Sequence, residues 1–222
     1  MGSLHKYRLD IFPCDIFFET GTGQGDSLEY ARSYPFRRLY SAEIDKSTAE
    51  LARDRFSAFN YVKIVQGDSV DVLEEVLPTL DSDSRCLFFL DAHFPGEMSD
   101  QFIGYSKIEM NAVSLPLERE LEVIRKYRAH CQDVIIVDDL RIYEDGPYRH
   151  GNLPAKIPKL PASLRHVDFI SRIFPDRQVM RNYRDEGYLL IYPKGLHLDL
   201  IKCTFWGSIR LAWLKLLNQF HL

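Results

Sequence analysis

Ile16-Phe17-Phe18-Glu19-Thr20-Gly21-Thr22-Gly23-Gln24-Gly25-Asp26-Ser27 decides how the rest of the chain is read. An apolar run ends in an acid. Three glycines follow on alternate positions, then a helix-like segment from Leu28 to Ser33. The pattern predicts a buried strand entering a tight turn, where a ligand lies against bare backbone. A dinucleotide turn reads G-x-G-x-x-G and sets a pyrophosphate on a helix N-terminus. Here the pattern is E-x-G-x-G-x-G, and no Lys-Ser/Thr pair follows, so it is not a P-loop either.

An acid just ahead of the glycines would repel a pyrophosphate but suits a cation that carries an amino group. S-adenosylmethionine fits, because its sulfonium and α-amino groups are positive and it has no phosphate. The competing reading is a plain strand-turn-helix corner.

Working outward, further strands end in polar residues. Arg38 to Glu43 is a strand, and Glu43 stands 18 positions after Gly25. An acid there can accept two hydrogen bonds from vicinal ribose hydroxyls. Tyr61 to Val65 leads into Gln66-Gly67-Asp68-Ser69, where Asp68 or Ser69 can cap the helix Val70 to Leu77. Cys86 to Leu90 is apolar throughout, which predicts a central strand delivering Asp91, Ala92 and His93 at its carboxyl end. Asp133 to Val137 delivers Asp138 and Asp139. A turn at Arg184 to Gly187 joins two last strands, Gln178 to Tyr183 and Tyr188 to Tyr192, as a hairpin. The stretches 94–115 and 142–161 read as long loops of the kind that cover a site. Residues 1–13 read as a short, solvated leader. The tail 196–222, with Trp206, Trp213 and several basic residues, reads as an amphipathic helix. It would pack on its own domain, on a membrane surface, or on a second subunit of a homodimer.

Asp91, Asp138 and Asp139 come from the ends of neighbouring strands. Carboxylates gathered at one edge repel unless a cation or proton sits between them. Mg2+ or another hard divalent ion answers that need, and turn formation is the plainer explanation of the acid pair. His93, two positions from Asp91, is a candidate general base.

The chain has 222 residues, 45% hydrophobic and 27% charged, with a net charge of -4. That is one ordinary domain over 1–195 plus the tail, with no electrostatic case for nucleic acid. Four dispersed cysteines fit a reducing compartment, and no secretory signal is read, so the expected location is cytoplasmic, with the tail allowing peripheral membrane contact.

Taken together, E-T-G-T-x-x-G-D-S, A-E-I-D, Q-G-D-S, F-L-D-A-H-F, P-L-E-R-E-L-E and I-I-V-D-D resemble class I methyltransferases, in particular the metal-dependent macrocin O-methyltransferase-like sugar enzymes. The resemblance spans about Phe17 to Tyr192. It implies a Rossmann-like α/β fold: a mostly parallel seven-stranded sheet, a terminal antiparallel hairpin, and helices on both faces. It implies S-adenosylmethionine held by Glu19, Thr20, Gly21, Gly23, Gly25, Ser27, Glu43, Asp68, Ser69 and Asp91. Asp68 and Ser69 would border the adenine. A metal would sit on Asp91, Asp138 and Asp139, with Asp91 and His93 catalytic. Such sugar enzymes often carry a second acid two positions after the first, where this chain has His93. The implied activity is O-methylation of a sugar, glycan or small natural product. A non-catalytic binding protein of the same fold and a metal-dependent hydrolase or hydroxylase-like relative are the rivals.

Overall fold

The computed structural model describes residues 4–93, 115–153 and 165–196. Strands β1 (Ile16–Thr20), β2 (Arg38–Glu43), β3 (Val62–Gln66), β4 (Cys86–Leu90), β5 (Val134–Val137), β6 (Arg177–Asn182) and β7 (Tyr188–Pro193) form one sheet. Their order is β3-β2-β1-β4-β5-β7-β6. The first five strands run parallel, and β7 is antiparallel to both β5 and β6. All carboxyl ends of β1 to β5 therefore lie along one edge, where ligands of open α/β sheets bind.

Alternation decides what each strand buries. Phe18 of β1, Phe88 of β4 and Ile135 of β5 face α3 (Ser69–Val76), α4 (Leu117–Arg128) and α5 (Phe169–Ile173). Phe17, Phe89 and Ile136 face the other way, towards α1 (Asp26–Arg32) and α2 (Lys46–Arg55). Both faces are covered, so β4 and β5 tolerate unbroken apolar sequence. The expected helix from Leu164 forms only over Phe169–Ile173 among the described residues.

The amino-terminal segment corrects the expectation of a solvated leader. Leu4, Tyr7, Leu9 and Phe12 are all buried on the α1–α2 face. Tyr7 meets the Tyr188 ring edge-on with centroids 5.2 Å apart, and its hydroxyl accepts a 2.8 Å bond from Asn182 Nδ2. Lys6 pairs with the buried Asp185 on the β6–β7 turn. The segment reads as polar because its large residues are spaced by short 3-10 turns, which carry neither the helix nor the strand period.

The tail expectation and most of the 94–115 loop fall outside the described residues. No helix among the described residues is long and apolar enough to cross a membrane.

Candidate active site at the carboxyl edge

The glycine turn is fastened to the end of β2. Gly21 and Thr22 donate to the Ala42 carbonyl at 2.9 and 3.2 Å, and Gly23 N–H donates to Glu43 Oε2 at 2.9 Å. Glu43 Oε1 accepts from Asp45 N–H at 2.9 Å. Thus Glu43 shapes the turn, and each of its oxygens keeps a lone pair for a further donor. Gly21 has φ +85°, and a Cβ there would stand 2.7 Å from the Asp91 carbonyl oxygen.

Glu19 lies beneath the turn, fully buried, facing two hydroxyls rather than an open cleft. It accepts from Ser27 Oγ at 2.5 Å and Ser41 Oγ at 2.7 Å. Burial pushes its carboxyl up to about 8, against the pull of those serines. Thr20 is equally buried, and Ser27 serves as the tie between α1 and Glu19. Asp68 caps α3 by accepting from Val70 N–H at 2.9 Å and also meets Arg119 Nη2 at 3.2 Å, with Ser69 buried beside it.

At the ends of β4 and β5 one imidazole joins two acids. His93 Nε2 is 3.0 Å from Asp139 Oδ2, and Nδ1 is 3.3 Å from Asp91 Oδ1. Burial disfavours the imidazolium, but the bond to Asp139 and the charges of Asp91 and Asp139 outweigh it, so His93 is raised. Asp139 is pushed up by burial and pulled further down by His93, ending below its usual range. The Asp91 side chain is 30% exposed and raised above its usual range, chiefly by desolvation, with His93 pulling it down and Asp139 pushing it up. Asp138 is fully enclosed; burial and the neighbouring carboxylates hold it well above the carboxylate range. Its Oδ1 accepts from Asp139 N–H at 2.8 Å, and among the described residues its Oδ2 has no hydrogen-bond partner, nor has Asp139 Oδ1.

Asp138 turns into a small cleft that it shares with His93, Glu120 and Tyr143. Those orphaned oxygens are suited to a cation, yet no group of three or more His, Cys, Asp or Glu among the described residues is assembled to hold one. The Asp91, Asp138 and Asp139 side chains share an edge without forming a ligand set.

Glu120 and Tyr143 were missed at the sequence level. For Glu120 the signal was present: Leu117, Glu120, Leu121 and Ile124 make one inward helical stripe, and the acid occupies an apolar position on it. Tyr143 sits in the 142–161 loop, where no periodicity marks it.

The raised acids have a consequence for stability. Glu19 at about 8 and Glu120 at about 7 keep protons in the fold that the unfolded chain releases on passing its ordinary carboxylate range. The folded state binds more protons, so stability is full in acid and falls as pH climbs through those values. Differential scanning calorimetry between about pH 5 and pH 8.5 should show a falling melting temperature. Glu19→Gln should flatten that slope; an unchanged or rising slope contradicts the burial argument.

No protein-family model matches the sequence, and no curated protein sequence is similar to it. Solved structures are similar. A Staphylococcus aureus protein assigned as a caffeoyl-CoA O-methyltransferase has TM-score 0.55 and 16% identity, covering 83% of this chain and 78% of that one. Human methyltransferase-like protein 13, in complex with SAH, has TM-score 0.54 and 17% identity over 93% and 87% of the two chains. Spermidine synthase of Thermotoga maritima has TM-score 0.52 and 15% identity, covering 94% of this chain but 62% of that one. The fold is therefore the Rossmann-like fold of class I methyltransferases. A spermidine synthase shares it, so the fold alone does not choose between the group transfers it supports.

Proposed function

We propose that the protein is an S-adenosylmethionine-dependent O-methyltransferase whose reaction centre is Asp91, His93 and Asp139. The observation that carries this is the position of that trio: Asp91 N–H donates to the Thr20 carbonyl at 3.1 Å, one residue ahead of the glycine turn. A donor lying along Gly21 to Gly25, with its ribose on Glu43, would present its methyl group to Asp91.

In this reading Asp91, rather than His93, is the base. Both ring nitrogens of His93 face carboxylates, which favours the charged imidazolium, and a charged imidazole accepts no proton. Asp91 is more exposed than His93 and raised from its usual range towards neutrality, which strengthens it as a base. In this reading the acceptor hydroxyl gives its proton to Asp91. Its oxygen then forms the new bond to the methyl carbon as the carbon–sulfur bond breaks in line, and the sulfur keeps the electron pair. His93, held by Asp139, supplies positive charge beside the developing oxyanion.

The acceptor in this reading is a hydroxyl of a sugar, glycan or small natural product. The Mg2+ expected from the sequence has two orphaned oxygens in its favour and no assembled ligand set among the described residues. The mechanism is therefore built from protein groups, and electron paramagnetic resonance with Mn2+ tests for the ion directly.

Calorimetry should detect S-adenosylhomocysteine binding by the wild type and equally by Asp91→Asn. Transfer of labelled methyl from S-adenosylmethionine to hydroxylated acceptors should disappear in Asp91→Asn. A wild type that binds neither S-adenosylmethionine nor S-adenosylhomocysteine at millimolar concentration refutes the function. Retained transfer by Asp91→Asn refutes the choice of base.

A further inference from the structure

The glycine turn is held from two directions. The exit of β2 holds Gly21, Thr22 and Gly23 through the Ala42 carbonyl and the Glu43 carboxylate. The other hold comes from α2, whose last residue is Arg55. Arg55 Nη1 donates to the Gln24 carbonyl, and it also meets Asp26 Oδ1 at 3.1 Å. The next residue, Phe56, is 2% exposed and packs against Gly25, where an added Cβ would stand 2.7 Å from the ring's Cε2.

These contacts converge on one peptide group. Gly25 N–H donates to the Thr22 carbonyl at 2.8 Å, and the carbonyl of the same peptide, that of Gln24, accepts from Arg55. No backbone N–H among the described residues donates to that carbonyl. Gly25 has φ +79° and no Cβ to hinder rotation. Without Arg55 the plane between Gln24 and Gly25 is held at its N–H alone, and turning it reshapes the backbone along which the donor would lie. The ion pair with Asp26 is the lesser part. Asp26 is 69% exposed and Arg55 39%, so water and salt screen their attraction. The bond to the carbonyl carries the charge of the guanidinium and does not depend on Asp26.

We propose that Arg55 is a positioning residue: from the end of α2 it pins the Gln24–Gly25 peptide and so keeps the glycine turn in the shape that receives S-adenosylmethionine. This rests on the function proposed above. Arg55 acts through the turn and takes part in no step of the transfer. Its loss therefore lowers donor affinity and leaves the rate at saturating donor unchanged. Arg55→Met keeps the stem and removes the donors. Arg55→Lys keeps a charged donor, and Asp26→Asn removes the ion pair alone.

The experiment combines calorimetry, kinetics and amide hydrogen exchange on the full chain, with S-adenosylhomocysteine as the binding probe. Arg55→Met should bind the probe about tenfold more weakly than wild type, and Arg55→Lys and Asp26→Asn within about threefold of it. Methyl transfer by Arg55→Met should show a donor KM raised by a similar factor with kcat unchanged. Without ligand, the Gly25 amide should exchange about tenfold faster in Arg55→Met, while the Leu39 amide, bonded to the Tyr61 carbonyl in the sheet, keeps its rate. Wild-type affinity in Arg55→Met, a kcat that falls as far as the affinity, or equal weakening by Asp26→Asn each overturns the proposal. So does an unchanged Gly25 rate, or one that rises only together with Leu39. If the wild type itself fails to bind the probe, the proposed function falls, and the exchange rate at Gly25 still decides whether Arg55 pins the turn.

Discussion

Gly21→Ala is expected to weaken donor binding about 100-fold while leaving a folded, weakened protein. The added Cβ would stand 2.7 Å from the Asp91 carbonyl oxygen, 3.0 Å from its carbon and 3.3 Å from Ala92 Cα. All three are backbone atoms, so no side chain can rotate away. Nor can the strands part freely: Gly21 N–H holds Ala42 O at 2.9 Å, and Asp91 N–H holds Thr20 O at 3.1 Å. The left-handed φ of +85° adds a conformational cost of roughly 1–2 kcal/mol for any residue with a Cβ. Relief must come from opening the β1–β4 exit, where the donor and Asp91 would meet. A loss of S-adenosylhomocysteine affinity of about 100-fold, or about 2.7 kcal/mol, is expected by calorimetry. Gly151→Ala is the control, because Gly151 has φ +80° and no atom of the described residues within 4 Å of an added Cβ. It should lower the melting temperature slightly and leave binding alone. Equal effects from the two variants would mean that the close approach at Gly21 has no role.

Arg128→Met should have the largest effect on stability, with no effect on donor binding. Arg128 and Asp133 form a two-pronged pair, Nε to Oδ2 at 2.8 Å and Nη2 to Oδ1 at 2.9 Å, with both side chains 2% exposed. Nη2 also donates to the Ser84 carbonyl at 2.7 Å, and Asp133 Oδ1 accepts from Cys86 N–H at 2.7 Å. The pair thus ties the end of α4 to the starts of β4 and β5, at the edge opposite the active site. Removing the cation strands a buried carboxylate, which typically costs about 3–5 kcal/mol. Urea unfolding should show that loss, and Arg128→Met with Asp133→Leu should recover much of it because the uncompensated charge is gone. A change in S-adenosylhomocysteine affinity would show that the two edges are coupled, against this account. A loss well below the expected range would mean that water reaches Asp133 once the arginine is removed.

Much of the fold was legible in local pattern. The alternation of apolar strands with helical stripes requires a doubly covered parallel sheet, and the turn at Arg184 to Gly187 requires the closing hairpin, because each signal is a matter of neighbours in the chain. The order of the strands, β3-β2-β1-β4-β5-β7-β6, was not written in those local patterns, because it depends on contacts between distant segments. Glu19, Glu43, Asp91 and Asp139 were placed at one edge because each ends a strand whose direction was already determined.

What the tertiary structure decided is what each of those groups faces. Glu19 points at Ser27 and Ser41, Glu43 at the turn it supports, and His93 at two acids rather than at a free proton acceptor's place. Glu120 reaches the site from a helix that packs beneath it, and the amino-terminal segment enters the core through Tyr7 and its bond from Asn182, 175 positions away. A residue's type and spacing specify where the backbone carries it. Its charge state and its role depend on which distant groups are packed against it, and that packing is a property of the whole folded chain.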